Sequence, residues 1–458
     1  MQAFVFALLA AAPTQAAAGA GALTLGFNSD PALVNPPTAA NSFLINRGIA
    51  AGAGIVRVNV WWSSVAPVRR PHRFHAGDPS SRGYRWGPVD TLVRRLAQQR
   101  LEVLINVSFA PRWAEGPHRP RNARPGTWKP DPIQFALFAR AAARRYDGRF
   151  PAPDARGRKL PRVRYWQAWN EPNLDYYLAP QWTRTRRGFA ATSVDTYRRM
   201  LNGFYTAVKD GAGSNVVVTA GMAPYGNPWG TSVRGRGYRM QPVTFDRLLF
   251  SAPVYCDVVA QHMYPYGGPL WHAAVSGDVA VPDLHKVARV VHAAARAGRL
   301  LPRGPKRLWV TELSWNSDPP DAGAVPLSEQ ARWYEQALYE LWRQGAQTVL
   351  LLQIIDPDMG PWEGGLYFGN GQTKPAATAF QFPFVTVRSS RGRVLAWGRA
   401  PVAGRLVVER LSGTRWKVAA TLNVRAHQVF QRRLALRGRA VLRADVGGQT
   451  SLPWSQRG

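Results

Sequence analysis

Short apolar runs alternate with longer amphipathic stretches along most of the chain. The runs are rich in Val, Ile and Leu, which predicts buried β-strands. Between them, apolar side chains recur at three- and four-residue spacing, which predicts helices. The eight strand-like runs cover residues 23–28, 54–61, 101–109, 163–169, 215–221, 256–262, 307–313 and 348–354. The clearest helical stretches cover residues 89–96, 133–146, 196–208, 284–297 and 328–344.

This alternation predicts the fold class. Eight strands that alternate with helices indicate a parallel sheet of the α/β class, and eight is the number that closes a (β/α)8 TIM barrel. An open doubly wound sheet is the alternative fold, but no glycine-rich phosphate loop follows the first run. After Phe384 the helical spacing stops, and short alternating runs with Gly or polar breaks predict a small C-terminal β-sandwich. We therefore expect a barrel over residues 21–384 and a sandwich module over 385–458.

The N-terminus has the pattern of a secretory signal. Residues 3–12 form a short apolar run, and small residues follow it. A run of this length is typical of a signal peptide and is too short to cross a bilayer. The basic segment that usually precedes such a run is missing, since only Met1 and Gln2 stand before it. We assign residues 1–20 to a signal-like segment and expect a secreted protein without a transmembrane segment.

Composition narrows the function classes. A chain of 458 residues with 46% hydrophobic residues can build a large core, which excludes a wholly disordered polymer. The single cysteine, Cys256, excludes an internal disulfide and a multi-cysteine metal site, and its strand-like context favours a buried core position. The net charge is +32, but the basic residues are spread along the chain without a run of five. We therefore expect surface charge and no specific nucleic-acid partner.

Two of the predicted strands end in a carboxylate beside aromatic and amide side chains. The fourth run ends with Glu171 in the sequence WNEPN, and the seventh ends with Glu312 in TELSW. Function in such a barrel sits where the strands end, so the two carboxyl groups should meet at its mouth. Hydrolysis of a glycosidic bond with retention needs a nucleophile and an acid/base about 5–5.5 Å apart. Two negative charges at that separation repel, so we expect a raised pKa for the acid.

These motifs resemble the retaining (β/α)8 glycoside hydrolases of clan A. The β-xylosidase and α-iduronidase group and the cellulase-like group are both similar, and the resemblance covers residues 23–384. It implies that Glu171 is the acid/base and Glu312 the nucleophile of an enzyme that cleaves O-glycosidic bonds through a covalent glycosyl-enzyme intermediate. It also implies substrate-binding roles, which fall on Arg57, Asn170, Trp113, His262 and Tyr264. Trp315, three residues after Glu312, is a further substrate-binding candidate.

The end of the eighth run departs from the clan pattern. The clan often has a tryptophan there, beneath the innermost sugar, whereas this chain has Gln353. Trp362 and Trp315 are the candidates to replace it. Sugar rings stack on aromatic planes, so tryptophans at strand ends favour a saccharide cleft. Eight tryptophans occupy such positions: Trp61, Trp62, Trp113, Trp182, Trp229, Trp271, Trp315 and Trp362.

The expected partner is a carbohydrate substrate, and the sequence indicates neither a cofactor nor an oligomeric state. No metal site is expected, because His72 and His75 lack a ligand pattern around them. A Gly-x-Ser-x-Gly elbow is absent, which argues against an α/β-hydrolase. Two alternative functions stay open: a catalytically inactive barrel that binds carbohydrate, and a basic protein that associates with polyanions.

Overall fold

Eight parallel strands close into a barrel in the computed structural model, which describes residues 22–29, 39–153, 157–227, 238–357 and 362–456. The predicted signal segment, 1–20, lies outside these residues. Each barrel strand pairs with the one before it and the one after it in the chain, and the first pairs with the eighth. The barrel strands are β1 (Thr24–Ser29), β2 (Ile55–Trp61), β3 (Glu102–Ser108), β4 (Tyr165–Ala168), β5 (Val216–Thr219), β6 (Val258–Met263), β7 (Arg307–Leu313) and β8 (Ala346–Leu351).

Helices follow the strands and cover the outside of the barrel. The start of the helix Pro132–Arg145 shows why the chain turns helical where it does: the Asp131 carboxylate accepts hydrogen bonds from the backbone N–H groups of Ile133 and Gln134, and Pro132 occupies the first turn. The helices of the described residues are α1 (Ala39–Ala50), α2 (Trp62–Val65), α3 (Gly87–Gln98), α4 (Pro132–Arg145), α5 (Thr192–Gly211), α6 (Pro242–Leu249), α7 (Leu284–Arg296), α8 (Leu327–Arg343) and α9 (Pro375–Gln381).

Apolar side chains on the strands form two separate cores. One set points into the barrel and includes Ile55, Leu104, Val258, Trp309 and Leu350, which fill its interior. The other set packs outward against the helices. Because both faces of the strands are buried, the sequences of these strands are nearly continuous apolar runs and do not alternate between apolar and polar residues. The barrel is therefore a filled core, and its function is left to the strand ends.

Two antiparallel sheets follow the barrel, and together with it they confirm the predicted fold class. The strands are β9 (Phe384–Ser390), β10 (Arg393–Arg399), β11 (Gly404–Ser412), β12 (Arg415–Val424), β13 (Val429–Ala435), β14 (Ala440–Val446), β15 (Gln449–Thr450) and β16 (Trp454–Gln456). Strands β9, β10 and β13 form one sheet, while β12, β11, β14 and β15 form the other, with β16 paired to β14.

The helices that the structure describes include none with the length and apolar character needed to span a bilayer.

Candidate active site

Polar side chains from four barrel strands and one loop converge at the carboxyl end of the barrel. Asn28 of β1 stands opposite Arg57 of β2, and Glu312 of β7 stands opposite His262 of β6 in the strand pairing. Glu171 follows the end of β4. These side chains are all buried. Parallel strands bring their carboxyl ends to one edge, so residues far apart in sequence form a single cluster.

Glu312 is surrounded by hydrogen-bond donors. Its Oε1 accepts a hydrogen bond from Arg57 Nη1 at 2.8 Å and another from Asn28 Nδ2 at 3.0 Å. Its Oε2 accepts a hydrogen bond from the Tyr264 hydroxyl. Arg57 is fully buried, so its charge acts on Glu312 with little screening by water. Such an arrangement stabilises a negatively charged carboxylate.

Glu171 is held in a different environment. It is buried, and burial raises its pKa to about 8, although the positive charges of Arg57 and Arg239 oppose the rise. The sequence predicted a raised pKa from repulsion by the second carboxylate. The direction agrees, but the largest cause is loss of hydration on burial rather than repulsion by Glu312. The backbone at Glu171 is left-handed, with φ of +37°, a conformation that is rare outside glycine and frequent at functional sites.

His262 bridges the two carboxyl groups. Its Nδ1 lies 2.8 Å from Glu171 Oε1 and 3.4 Å from Glu312 Oε2. Burial lowers the pKa of His262 to about 4, so the ring is neutral at neutral pH. A Cβ atom on Gly221 would lie 2.1 Å from the His262 ring, so this position leaves room only for hydrogen. His262 can therefore orient Glu171 without adding a charge between the carboxylates.

Arg57 connects both catalytic candidates to the barrel interior. Its Nη2 donates to Asn170 Oδ1 at 2.6 Å, and its Nε donates to Gln167 on β4. Asn170 precedes Glu171 directly, so one guanidinium fixes the tip of β4 and the carboxylate of β7 together. Because Oδ1 of Asn170 is engaged by Arg57, its amide nitrogen is left to donate to a ligand.

The cluster opens into a cavity of about 730 Å3. Of the predicted site residues, the cavity wall includes Arg57, Asn170, Glu171, Tyr264 and Glu312, while His262 is buried behind the two carboxyl groups. Side chains from loops complete the cavity wall. The sequence did not reveal them, because strand-end motifs carry no information on loop paths. They include Arg124, Tyr176, Tyr177, Tyr225, Arg239 and Tyr266. Asn28 also lines the cavity. Its position at the end of the first strand-like run could have identified it as a site residue.

Two predicted substrate-binding tryptophans lie elsewhere. Trp113 donates its indole N–H to the backbone carbonyl of Pro67 at 2.8 Å and packs edge-on against the buried Trp62. Trp315 is only 5% exposed and donates to the carbonyl of Gly267 at 3.0 Å. Neither residue lines the cavity, so the structure does not bring these two to the site. Both are large apolar side chains that a loop uses for packing instead.

The strand-eight end uses Gln353 and a neighbouring tryptophan. Trp362 is about half exposed and lines the cavity, with its ring centroid 5.4 Å from that of Tyr264. Gln353 also lines the cavity and donates a hydrogen bond to the backbone carbonyl of Trp362. Of the eight tryptophans expected at strand ends, Trp61 and Trp362 are cavity residues, and Trp229 lies outside the described residues.

The cluster also has the residue types of a metal site. Among the described residues, Glu171, His262 and Glu312 form the one group of three such side chains whose ligand atoms lie within 4.8 Å of one another. A positive charge is already present, because Arg57 contacts Glu312 directly. An oxygen of Glu171 and an oxygen of Glu312 therefore lie within 4.8 Å of each other, which is close to the separation that retaining glycosidases need.

The fold is similar to those of known carbohydrate-cleaving enzymes. A family 39 glycoside hydrolase from Bacteroides cellulosilyticus matches with a TM-score of 0.54 and 15% identity, over 92% of this chain and 82% of that one. A glucosidase from Croceicoccus marinus has a TM-score of 0.49 and 12% identity, over 90% and 93% of the two chains. No protein-family model and no curated protein sequence matches the chain. The first likeness confirms the barrel fold that the clan A resemblance predicted.

Proposed function

We propose that this chain is a retaining glycoside hydrolase. The observation that carries the proposal is the pair of buried carboxyl groups, Glu171 and Glu312, whose oxygens lie within 4.8 Å at the barrel mouth. Their surroundings differ in the way that the reaction requires. Glu312 accepts hydrogen bonds from Arg57, Asn28 and Tyr264, whereas burial raises the pKa of Glu171 to about 8. One group is thus suited to attack and the other to donate a proton.

The reaction proceeds in two displacements. In the first, a carboxylate oxygen of Glu312 forms a bond with the anomeric carbon while the bond from that carbon to the leaving oxygen breaks. Glu171 gives its proton to that oxygen, so the leaving group departs as a neutral alcohol. In the second, the ionised Glu171 takes a proton from water, and the water oxygen displaces Glu312 from the sugar. Asn170 supports both steps by donating to a hydroxyl of the bound sugar.

Aromatic walls support a saccharide as the substrate. Trp61, Tyr177 and Trp362 line the cavity beside the carboxyl groups. The C–H faces of a sugar ring pack against such rings, while its hydroxyl groups find the polar side chains at the floor. The alternative of an inactive binding barrel lacks a comparable supporting observation, because both carboxyl groups and their donors are present. Export is a further part of the proposal and depends on residues 1–20 alone.

The first test is turnover of aryl glycosides by the wild type and by two isosteric variants. A panel of β-xyloside, β-glucoside, β-galactoside, α-arabinofuranoside and α-iduronide covers the sugars that the resemblance implies. We expect Glu312→Gln to abolish turnover of the substrate that the wild type cleaves, since no nucleophile remains. Glu171→Gln should lower turnover on the order of 100- to 10,000-fold. Added azide should restore activity to a Glu171→Ala variant and not to Glu312→Ala.

A matched control removes a carboxylate far from the site. Glu329 is exposed on α8, so Glu329→Gln should keep the wild-type rate. Mass spectrometry after reaction with a 2-fluoro glycoside should find the sugar on the peptide that contains Glu312. Wild-type turnover by Glu312→Gln, or a label on another residue, would contradict the proposed mechanism.

A further inference from the structure

A second cavity adjoins the first one. It measures about 920 Å3 and shares Arg124, Leu174, Tyr176 and Arg239 with the wall of the catalytic cavity. The two cavities are therefore neighbours with a shared wall. We name the second one the arginine groove, defined by Arg124, Tyr176, Trp182, Arg184, Phe189 and Arg239.

The position of the groove relates it to one side of the scissile bond. Leu174 and Tyr176 stand three and five residues after Glu171, and both belong to the shared wall. In the proposed reaction Glu171 protonates the leaving oxygen, so the leaving group lies on the Glu171 side of the anomeric carbon. A leaving group longer than one sugar would then extend into the arginine groove.

Arginine side chains dominate the charge of this groove. The guanidinium of Arg124 lies 4.1 Å from the ring centroid of Phe109 and 4.2 Å from that of Tyr176, which fixes it between two rings. Arg184 and Arg239 form no salt bridge with any of the residues that the structure describes, but the charge of Arg239 acts on Asp175, where it opposes the rise in the pKa of that carboxyl group. Asp175 is the one carboxylate in the described wall, and it accepts a hydrogen bond from the Tyr238 N–H at 2.8 Å.

Exposed rings accompany these charges. Phe189 is 43% exposed on a short hairpin of Thr183–Thr185 and Gly188–Ala190, which also carries Arg184. Tyr238, which also lines the groove, is 45% exposed. A groove that contains both rings and guanidinium groups suits a chain of sugar rings that bear anionic groups, because the faces stack and the charges pair.

We propose that the arginine groove binds the leaving-group part of an acidic carbohydrate chain, whose carboxylate or sulfate groups contact Arg124, Arg184 and Arg239. This inference rests on the proposed function, because the leaving-group side is defined by the role of Glu171. The carboxyl pair indicates the type of reaction but not the substrate, and this inference adds the substrate class, an anionic saccharide.

The test measures binding in the Glu312→Gln background, where no substrate is consumed. One arm compares polygalacturonate with its carboxyl-reduced form, and the other compares dextran sulfate with dextran. We expect the acidic polymer to bind more tightly than its neutral counterpart in one arm at least, and that arm identifies the anionic group. The preference should fall about tenfold when Arg184→Gln and Phe189→Ala are combined, and in part with Arg184→Gln alone.

The control separates the groove from the general surface charge. Arg296 is exposed on α7, so Arg296→Gln removes one charge outside the groove and should keep the preference within about twofold. Equal binding of acidic and neutral polymers would overturn the inference. So would a preference that survives in the double variant, or duplex DNA that binds as tightly and loses affinity in the same variants.

Failure of the inference is distinguishable from failure of the proposed function. Turnover of an aryl glycoside by the wild type tests the hydrolase alone, because its nitrophenyl leaving group carries no carboxylate or sulfate for the arginine groove. An inactive wild type would count against the hydrolase, whatever the binding results are. An active wild type without acid preference would overturn the groove assignment alone.

Discussion

Proton donation by Glu171 predicts the basic limit of activity. Burial raises the pKa of this carboxyl group to about 8, so it keeps its proton below that pH and loses it above. Because the charged form cannot donate, kcat/KM for an aryl glycoside should fall about tenfold per pH unit above about pH 8. A pH–rate profile measures this. The Glu171→Gln profile should lack the basic limb, and its persistence there would assign the limb to another group.

Trp362 is the side chain that we expect to replace the missing strand-eight tryptophan. Its ring lines the cavity beside Tyr264, and Gln353 holds its backbone carbonyl. Loss of one stacking face should raise KM about 2- to 10-fold, with a smaller change in kcat. Steady-state kinetics of Trp362→Ala measures the split, and Trp271→Ala, at an exposed position outside the cavity wall, is the control. An unchanged KM would remove Trp362 from the sugar site.

Residues at strand ends could be found from the sequence, and residues in loops could not. Glu171 and Glu312 belong to strand-end patterns, and a closed barrel must bring such ends together. Arg57 lies within β2 and was assigned through the clan A resemblance. Tyr177 and Arg239 reach the cavity through loops whose paths depend on tertiary contacts. Composition alone could not distinguish a tryptophan that packs a loop from one that faces a sugar.

The end of β5 constrains the site through a single glycine. A Cβ atom on Gly221 would lie 2.1 Å from the His262 ring and 2.8 Å from Thr311 Oγ1. The Gly221 carbonyl also accepts a hydrogen bond from the Glu171 N–H at 3.1 Å. Gly221→Ala should therefore displace His262, lower kcat, and reduce the free energy of unfolding by about 1–3 kcal/mol.

Thermal unfolding and turnover of the same variant check this expectation. At Gly213, a Cβ atom would meet no heavy atom within 4 Å beyond the adjoining residues, so Gly213→Ala tests the added methyl group without a clash. It should leave both turnover and melting temperature near the wild-type values. Normal kcat in Gly221→Ala would mean that the orientation of His262 does not matter to the reaction.

Element type followed from the sequence more reliably than element bounds. All eight barrel strands were predicted, because buried parallel strands are short apolar runs. The fourth was expected from residue 163, whereas β4 covers Tyr165–Ala168, since pairing with β3 and β5 limits its length. The hairpin that carries Arg184 was not predicted, because its strands are only three residues long and lack a buried apolar side chain.

Across the whole molecule, positive charge is concentrated in the C-terminal module. Residues 385–458 contain 15 Lys and Arg but two acidic residues, out of 59 and 27 in the chain. This composition predicts a general attraction to polyanions at low salt, which does not depend on a particular binding site and which added salt screens. Acid preference through the arginine groove differs because a local substitution removes it. Sequence predicted the total charge but could not place an arginine between two rings.

Buried contacts join the module to the barrel, so we expect their stability to be interdependent. Trp397 of β10 is fully buried, with its ring centroid 5.4 Å from Tyr339 and 5.6 Å from Trp342 of α8. Arg399 also donates from Nε to the Leu23 carbonyl, just before β1, at 2.9 Å. Since Trp397 fills space between both parts, Trp397→Ala should reduce the free energy of unfolding by about 3–5 kcal/mol.

Hydrogen exchange followed by mass spectrometry can show whether both parts respond. In Trp397→Ala, protection from exchange should fall together in peptides from α8 and from β10, because the space left by the removed indole ring lies between these elements. Val418 is 66% exposed on β12, so Val418→Ala should change the free energy of unfolding by less than about 0.5 kcal/mol. If only module peptides lost protection while α8 kept its own, the barrel would be stable without the module, and Trp397 would belong to the module core alone.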